Sequence, residues 1–187
     1  MLSFRYYPHV LQTPFRNGRA AACRSVKRLY LVRHAVAEDR GPTWPDDTLR
    51  PLTARGQRRF AKAAAGFVRL EGLPDRILTS PLVRARQTAE LLASAADDTP
   101  IDTLPSLSPD EPPAVLLAHL RRVPADRIAL VGHEPDLGEL AAVLLGASRP
   151  LPFKKGGMCC IDVEWQGKPT GTLVWFLSPA ALRRMGD

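Results

Sequence analysis

The sequence predicts an α/β protein, a three-layer α/β/α sandwich with a mainly parallel central sheet, and three observations carry that reading. Residues 29–32 (Leu-Tyr-Leu-Val) and 127–132 (Arg-Ile-Ala-Leu-Val-Gly) are near-continuous apolar runs, the pattern of strands buried on both faces. Segments with helical spacing of apolar residues separate such runs, so strand and helix alternate along the chain. The two strongest runs end in Arg33-His34 and in His133, which puts polar side chains at the carboxyl edge of the sheet. Parallel strands of this kind are joined by right-handed crossovers. At 187 residues the chain has the length of one domain with a sizeable core.

Residues 1–26 carry several arginines, scattered aromatics, Pro8 and Pro14 but no periodicity, and are expected to be a disordered extension ahead of a domain over 27–187. The extension is free of acids, yet it lacks the compact apolar stretch and small-residue site of a secretory signal. Translation beginning near Val26 is a further expectation, which the intact mass of the protein from its native host tests. After the first strand, residues 36–52 form a long loop with Gly41, Pro42, Pro45, Pro51 and the acids Glu38, Asp39, Asp46 and Asp47. Loops of this length inside a compact domain are usually functional, and this one borders the active end of the strand. Thr53 reads as the N-cap of a helix over 54–70, where Phe60, Ala63, Ala64, Phe67 and Val68 recur at helical spacing. Gly72-Leu73-Pro74 stops it.

A short strand over 76–79 runs into Ser80-Pro81, read as an N-cap with proline at the first helical position of a helix reaching about residue 93. Arg84 and Thr88 share a face of that helix, and Arg84 is close enough to its amino end to join an anion site. A third strand is expected over 101–104 and a third helix over 114–122, with His119 as a solvated residue. The strand at 127–132 then repeats the opening pattern, ending in His133-Glu134-Pro135-Asp136 before an apolar helix over 137–145 that Gly146 stops. Residues 158–163 and 172–177 read as strands around a Gln166-Gly167-Lys168-Pro169 turn, an antiparallel hairpin.

Composition narrows the classes. Hydrophobic content of 45% and charged content of 24% are ordinary for a soluble globular protein, and no apolar run is long enough to cross a bilayer, so no membrane partner is expected. The net charge of +7 is concentrated at the amino end, where Arg5, Arg16, Arg19 and Arg24 leave +3 for the rest. That distribution, without a dense basic run interleaved with aromatics, excludes a generic nucleic-acid binder and suits an anionic substrate. Cys23, Cys159 and Cys160 form no CxxC pair; adjacent Cys159 and Cys160 point to opposite faces of a strand, so all three read as reduced residues of a cytoplasmic protein.

At the carboxyl edge of such a sheet, Arg33, His34, Arg84 and His133 converge. Two guanidiniums beside two imidazoles suit a phosphoryl group, since each planar fork binds two oxygens and stays charged at any working pH. Two histidines without a carboxylate at ligand-like spacing give no metal site, and neither a Walker loop nor GxGxxG is present.

These residues resemble a known family. LYLVRHAVAED, RPLTARG, ILTSPLVRARQTAELL, LVGHEPDLGEL and FKKGGM, in unbroken order over about residues 27–178, are similar to the motifs of the histidine phosphatase superfamily, also called phosphoglycerate-mutase-like, and most similar to its small SixA-type phosphohistidine phosphatases. Ala35 stands where the superfamily more commonly has the glycine of RHG. The resemblance implies that His34 is the nucleophile, forming a covalent phosphohistidine that water hydrolyses, and that Arg33, Arg84 and His133 bind the phosphoryl oxygens. His34 must then be neutral at its attacking nitrogen, its other nitrogen donating to a backbone carbonyl. Arg50 is a further substrate-binding candidate at the rim, and Glu38, Asp39, Asp110 and Glu111 are the candidates for a general acid. A phosphoramidate has a labile P–N bond and needs less help from an acid, so the lack of a clear acid points to phosphohistidine. The expected activity is metal-independent and cofactor-free hydrolysis of phosphohistidine in a phosphorylated protein, by a monomer. A phosphatase of small phosphate esters is the alternative, and so is a catalytically silent phosphoprotein-binding module, against which both histidines argue.

Overall fold

The structure is a computed structural model that describes residues 26–186; the expected extension, with Cys23, lies outside the described residues. The described residues build a six-stranded sheet from β1 (Val26–Arg33), β2 (Arg76–Thr79), β3 (Ile101–Thr103), β4 (Arg127–Gly132), β5 (Met158–Glu164) and β6 (Thr170–Leu177). Its order is β3-β2-β4-β1-β5-β6. β1 to β4 are parallel, and β5 and β6 add the expected antiparallel hairpin beside β1.

Side chains alternate across the sheet. Leu29 and Leu31 of β1 join Ile128 and Leu130 of β4 in one core, while Tyr30, Val32, Ala129 and Val131 enter the other. The first core is covered by α3 (Pro113–Leu120) and α4 (Asp136–Leu145), the second by α1 (Ala54–Glu71), α2 (Val83–Ala95) and α5 (Pro179–Gly186), which makes three layers. Cys159 lies in the first core and Cys160 in the second, both as free thiols, as their adjacency on one strand requires.

Local chemistry sets the helix ends. Thr53 Oγ1 accepts from Gly56 N–H at 2.8 Å, the N-cap bond expected for α1, and Gly72 ends that helix at φ +77°, which favours glycine. Lys27 is buried in β1 because its ammonium caps the end of α3, donating to the carbonyls of Leu120, at 3.0 Å, and Val123. α3 ends at Leu120, two residues before the expected boundary.

Two differences from the sequence reading have physical causes. α2 begins at Val83, and Ser80 does not cap it; the Ser80 hydroxyl instead accepts from Leu82 N–H within a turn and meets a histidine from the neighbouring strand. α5 was not expected at all, although Ser178-Pro179 is an N-cap signal, with Ser178 Oγ accepting from Ala181 N–H at 3.3 Å. α5 lies so close to α1 that a Cβ on Gly66 would stand 1.9 Å from the Leu182 carbonyl oxygen.

Candidate active site

Register decides which polar residues meet. β1 and β4 are adjacent and parallel with Arg33 opposite Gly132, so the next residues, His34 and His133, emerge side by side. His34 N–H donates to the Gly132 carbonyl at 3.0 Å, and the two imidazole centroids are 5.2 Å apart. On the other side of β4, β2 ends with Thr79 opposite Val131. Ser80 therefore follows His133 in space, donating its N–H to the Val131 carbonyl and placing its Oγ 2.9 Å from His133 Nε2.

Arg84 enters from the first turn of α2. One turn on, Thr88 donates its hydroxyl to the Arg84 carbonyl at 2.7 Å and accepts Ala35 N–H at 3.1 Å, which ties this helix to the residue after His34. Ala35 is buried among Val32 and Phe60 and has no positive φ, so its methyl is accommodated without strain. The FKKGGM turn folds over the same edge: Gly156 N–H donates to the carbonyls of Arg33 (3.1 Å) and His34 (3.0 Å), and Arg33 N–H to that of Gly157 at 3.1 Å. Gly156 holds φ +77°, and a Cβ there would press on Phe60 at 3.3 Å.

The cleft so formed, about 330 Å³, is lined by Arg33, His34, Arg84 and His133 together with Arg50 and Glu134. His34 Nδ1 lies 2.7 Å from the Ala35 carbonyl, which can only accept, so Nδ1 carries the proton and Nε2 holds the lone pair. Burial, reinforced by the charges of Arg84 and Arg33, pushes His34 down to about 4, so it is neutral at pH 7. His133 is pushed to about 3 by burial and then by His34 and Arg84. Its Nδ1 is buried with no hydrogen-bond partner.

The arginines are held from outside the cleft. Arg33 Nη1 donates to the Phe153 carbonyl at 2.5 Å; Arg84 Nη1 donates to the Asp47 carbonyl at 2.8 Å and its Nη2 pairs with the Asp47 carboxylate at 3.1 Å. Each keeps a buried Nε–H without a partner. A site with two cations and an unpartnered imidazole N, all desolvated, is built to receive an anion with several oxygens.

Of the other expected residues, Arg50 does line the cleft, but its Nε pairs with Asp47 at 2.8 Å and its Nη1 donates to the Glu38 carbonyl. It braces the loop that carries Asp47. Among the acids, Asp110 lines the cleft and Glu111 lines a small adjoining cavity. Glu38 and Asp39 line neither, because the Ala37–Leu52 bridge and the Glu38 N–H bond to the Pro51 carbonyl fix that segment's course beside it. The sequence reading overlooked Glu134 and Asp47. Glu134 is half-buried, with one buried oxygen unpartnered, and burial pushes its carboxyl up to about 7 against the opposing charge of Arg33. Its adjacency to His133 was the available signal. Asp47, held near 2 by its bond to Arg50 and the charges of Arg84 and Arg40, had none, since only the loop's return brings it to Arg84. Among the described residues no three His, Cys, Asp or Glu side chains gather as a metal site, and no helix is long and apolar enough to cross a membrane.

Comparison with known proteins supplies the family and the fold. The family model of the histidine phosphatase superfamily (branch 1) matches residues 29–108. An uncharacterized protein of Picosynechococcus sp. (strain PCC 7002) is 41% identical over 135 residues, which cover 70% of this chain and 81% of that one. The phosphohistidine phosphatase SixA of Escherichia coli (strain K12) is 26% identical over 161 residues, 83% of this chain and 96% of that one. A solved structure of the protein histidine phosphatase SixA complexed with tungstate superposes with a TM-score of 0.73 at 25% identity, covering 83% of this chain and 99% of that one. Matched by the model over its first strands and helices and by relatives over most of its length, the chain belongs to the histidine phosphatase superfamily.

Proposed function

We propose that this chain hydrolyses phosphohistidine in a protein by covalent catalysis at His34, without a metal. The observation that carries the mechanism is the His34 imidazole: its Nδ1–H is committed to the Ala35 carbonyl, and burial keeps it neutral, so Nε2 has a lone pair at pH 7. That pair attacks phosphorus, and the P–N bond to the substrate imidazole breaks, its electron pair staying with the leaving nitrogen, which takes a proton. Water then attacks the phosphorus of phospho-His34, the P–Nε2 bond breaks, and inorganic phosphate leaves with His34 again neutral. Arg33, Arg84 and His133 stabilise charge on the phosphoryl oxygens through both steps. For His133 to donate, its Nδ1 must carry the proton, and this follows if the Ser80 hydroxyl donates to Nε2. The substrate class is supported by the likeness to SixA proteins over most of both chains.

Hydrolysis of small phosphate esters is the second reading, and Glu134 favours it. A cleft carboxyl near 7 is protonated part of the time at neutral pH, and an alkoxide leaving group needs such a donor more than an imidazole does. The inference from a missing acid therefore lapses once Glu134 is in the cleft. Incubation with a ³²P-labelled phosphohistidine peptide, followed by alkaline gel analysis, tests the mechanism: acid-labile, alkali-stable label on the wild type and none on His34→Ala is expected. Label persisting on that variant refutes the nucleophile. Turnover of p-nitrophenyl phosphate but of no phosphohistidine peptide assigns the second reading.

A further inference from the structure

One loop residue holds Arg84. The loop over 36–52 returns to its start at the Ala37–Leu52 bridge, and Leu52 N–H donates at 2.7 Å to Oε1 of Gln87, which follows Arg84 on α2. Between those anchors Asp47–Leu49 form a single 3₁₀ turn capped by Asp46, whose Oδ1 accepts the Thr48 N–H at 2.9 Å. The Asp47 carbonyl accepts from Arg84 Nη1 and its carboxylate pairs with Nη2, so this one residue engages both terminal nitrogens of the guanidinium. The other edge of the fork is Nε–H with the second hydrogen of the neighbouring terminal nitrogen, and its Nε is buried and unpartnered among the described residues. We propose that Asp47 is a positioning residue for phosphoryl transfer, which fixes Arg84 so that this second edge takes two phosphoryl oxygens; the proposal rests on the reading above that Arg84 binds them.

Geometry and charge both support that role. Arg84 lines the cleft and Asp47 does not, so the carboxylate acts through the guanidinium and not on the substrate. Asp47 is itself braced. Its Oδ1 accepts Arg50 Nε at 2.8 Å and Arg40 Nε at 2.9 Å, and buried Arg50 is anchored in turn to the Glu38 carbonyl. The bond to Arg50 and the charges of Arg84, Arg50 and Arg40 hold the carboxyl near 2, so it stays ionised at neutral pH. Arg40, Arg50 and Arg84 line the cleft beside Arg33 and Lys155, so one carboxylate offsets part of the cleft's attraction for any anion. An arginine held in this way meets the transition state in the geometry it already has, whereas a released one follows the ground-state anion. Without Asp47 the cleft is more positive but less ordered.

The test is Asp47→Asn, which removes the charge at nearly constant volume from a side chain 34% exposed; urea unfolding checks that the fold is kept. With p-nitrophenyl phosphate or the phosphohistidine peptide, whichever the wild type turns over, kcat is expected to fall about 10- to 100-fold, the cost of a misaimed binding group. Competitive inhibition by inorganic phosphate is expected to stay equal or tighten. In an Arg84→Lys background the same substitution should change kcat by less than about twofold, because no guanidinium is left to aim. The Nη protons of Arg84, assigned by their absence from Arg84→Lys, should give resolved NMR signals in the wild type and merged ones in Asp47→Asn, where the guanidinium rotates. An unchanged kcat, an equal loss in both backgrounds, phosphate binding that weakens in step with kcat, or merged signals in the wild type overturns positioning and leaves Arg84 as a phosphoryl ligand. Wild-type turnover by Arg84→Lys overturns that reading of Arg84, and the proposal with it.

Discussion

Replacing Ser80 with alanine isolates the coupling between β2 and β4 that sets up His133. Ser80 is fully buried, its Oγ accepts Leu82 N–H at 3.3 Å, and it lies 2.9 Å from His133 Nε2. Removing it leaves that nitrogen and the Leu82 N–H without a partner, and one unsatisfied buried group costs about 1–3 kcal/mol. Urea unfolding should show a loss in that range with an unchanged m-value. The catalytic loss is separate. Eliminating an oxyanion donor outright costs about 10²–10³ in kcat; Ser80 acts only through the tautomer and orientation of His133, so kcat should fall about tenfold with KM little changed. Ring ¹⁵N shifts supply the decisive reading, with His133 protonated at Nδ1 in the wild type and mixed in Ser80→Ala. Ser80→Thr, which keeps the hydroxyl, should restore the Nδ1–H form. A stability loss with kcat unchanged within about twofold, and an unaltered His133 tautomer, refutes the reasoning.

Four further outcomes follow from the structure. Because His34 titrates near 4 rather than near the ordinary histidine value, the acid limb of kcat/KM should lie well below pH 6, and a limb near 6.5 contradicts a buried neutral nucleophile. The same shift bears on stability: between about pH 6.5 and 4 the unfolded chain binds more protons at this site, so stability falls as pH falls through that window. His34→Asn should flatten the fall in urea melts taken across it. If Glu134 donates the proton to ester leaving groups, Glu134→Gln should remove an alkaline limb near pH 7 from phosphate release with an alkyl ester such as glycerol phosphate, whose alkoxide needs the donor, and persistence of that limb assigns it to another group. Gly66→Ala ordinarily favours a helix, but here the added methyl meets the Leu182 carbonyl at 1.9 Å. A loss of about 2 kcal/mol or more by urea unfolding is expected, and a gain contradicts the α1–α5 packing.

The two histidines were legible because each follows a run of residues that can only be a buried strand, and Arg33 is carried on the same run. Arg84 was legible although its helix starts later than Ser80-Pro81 suggests, since a shift of the cap leaves it in the first turn. Ser80 was misread for a definite reason. Its hydroxyl has a local use as a cap and a distant use at His133, and the two residues are 53 apart in the chain. Asp47 was one of several loop acids until the Arg84 contact distinguished it, and Glu134 looked like any residue after a strand until burial raised its carboxyl.

By itself the sequence determined the period of each element, the faces that must be buried, and which polar side chains stand at strand ends, because these depend on neighbours a few residues away. The tertiary structure alone decided that β4 inserts between β2 and β1. That order is a matter of contacts across a hundred residues, and no local pattern encodes it. It sets Ser80, His133 and His34 in a row at one edge and brings the loop acid Asp47 onto Arg84.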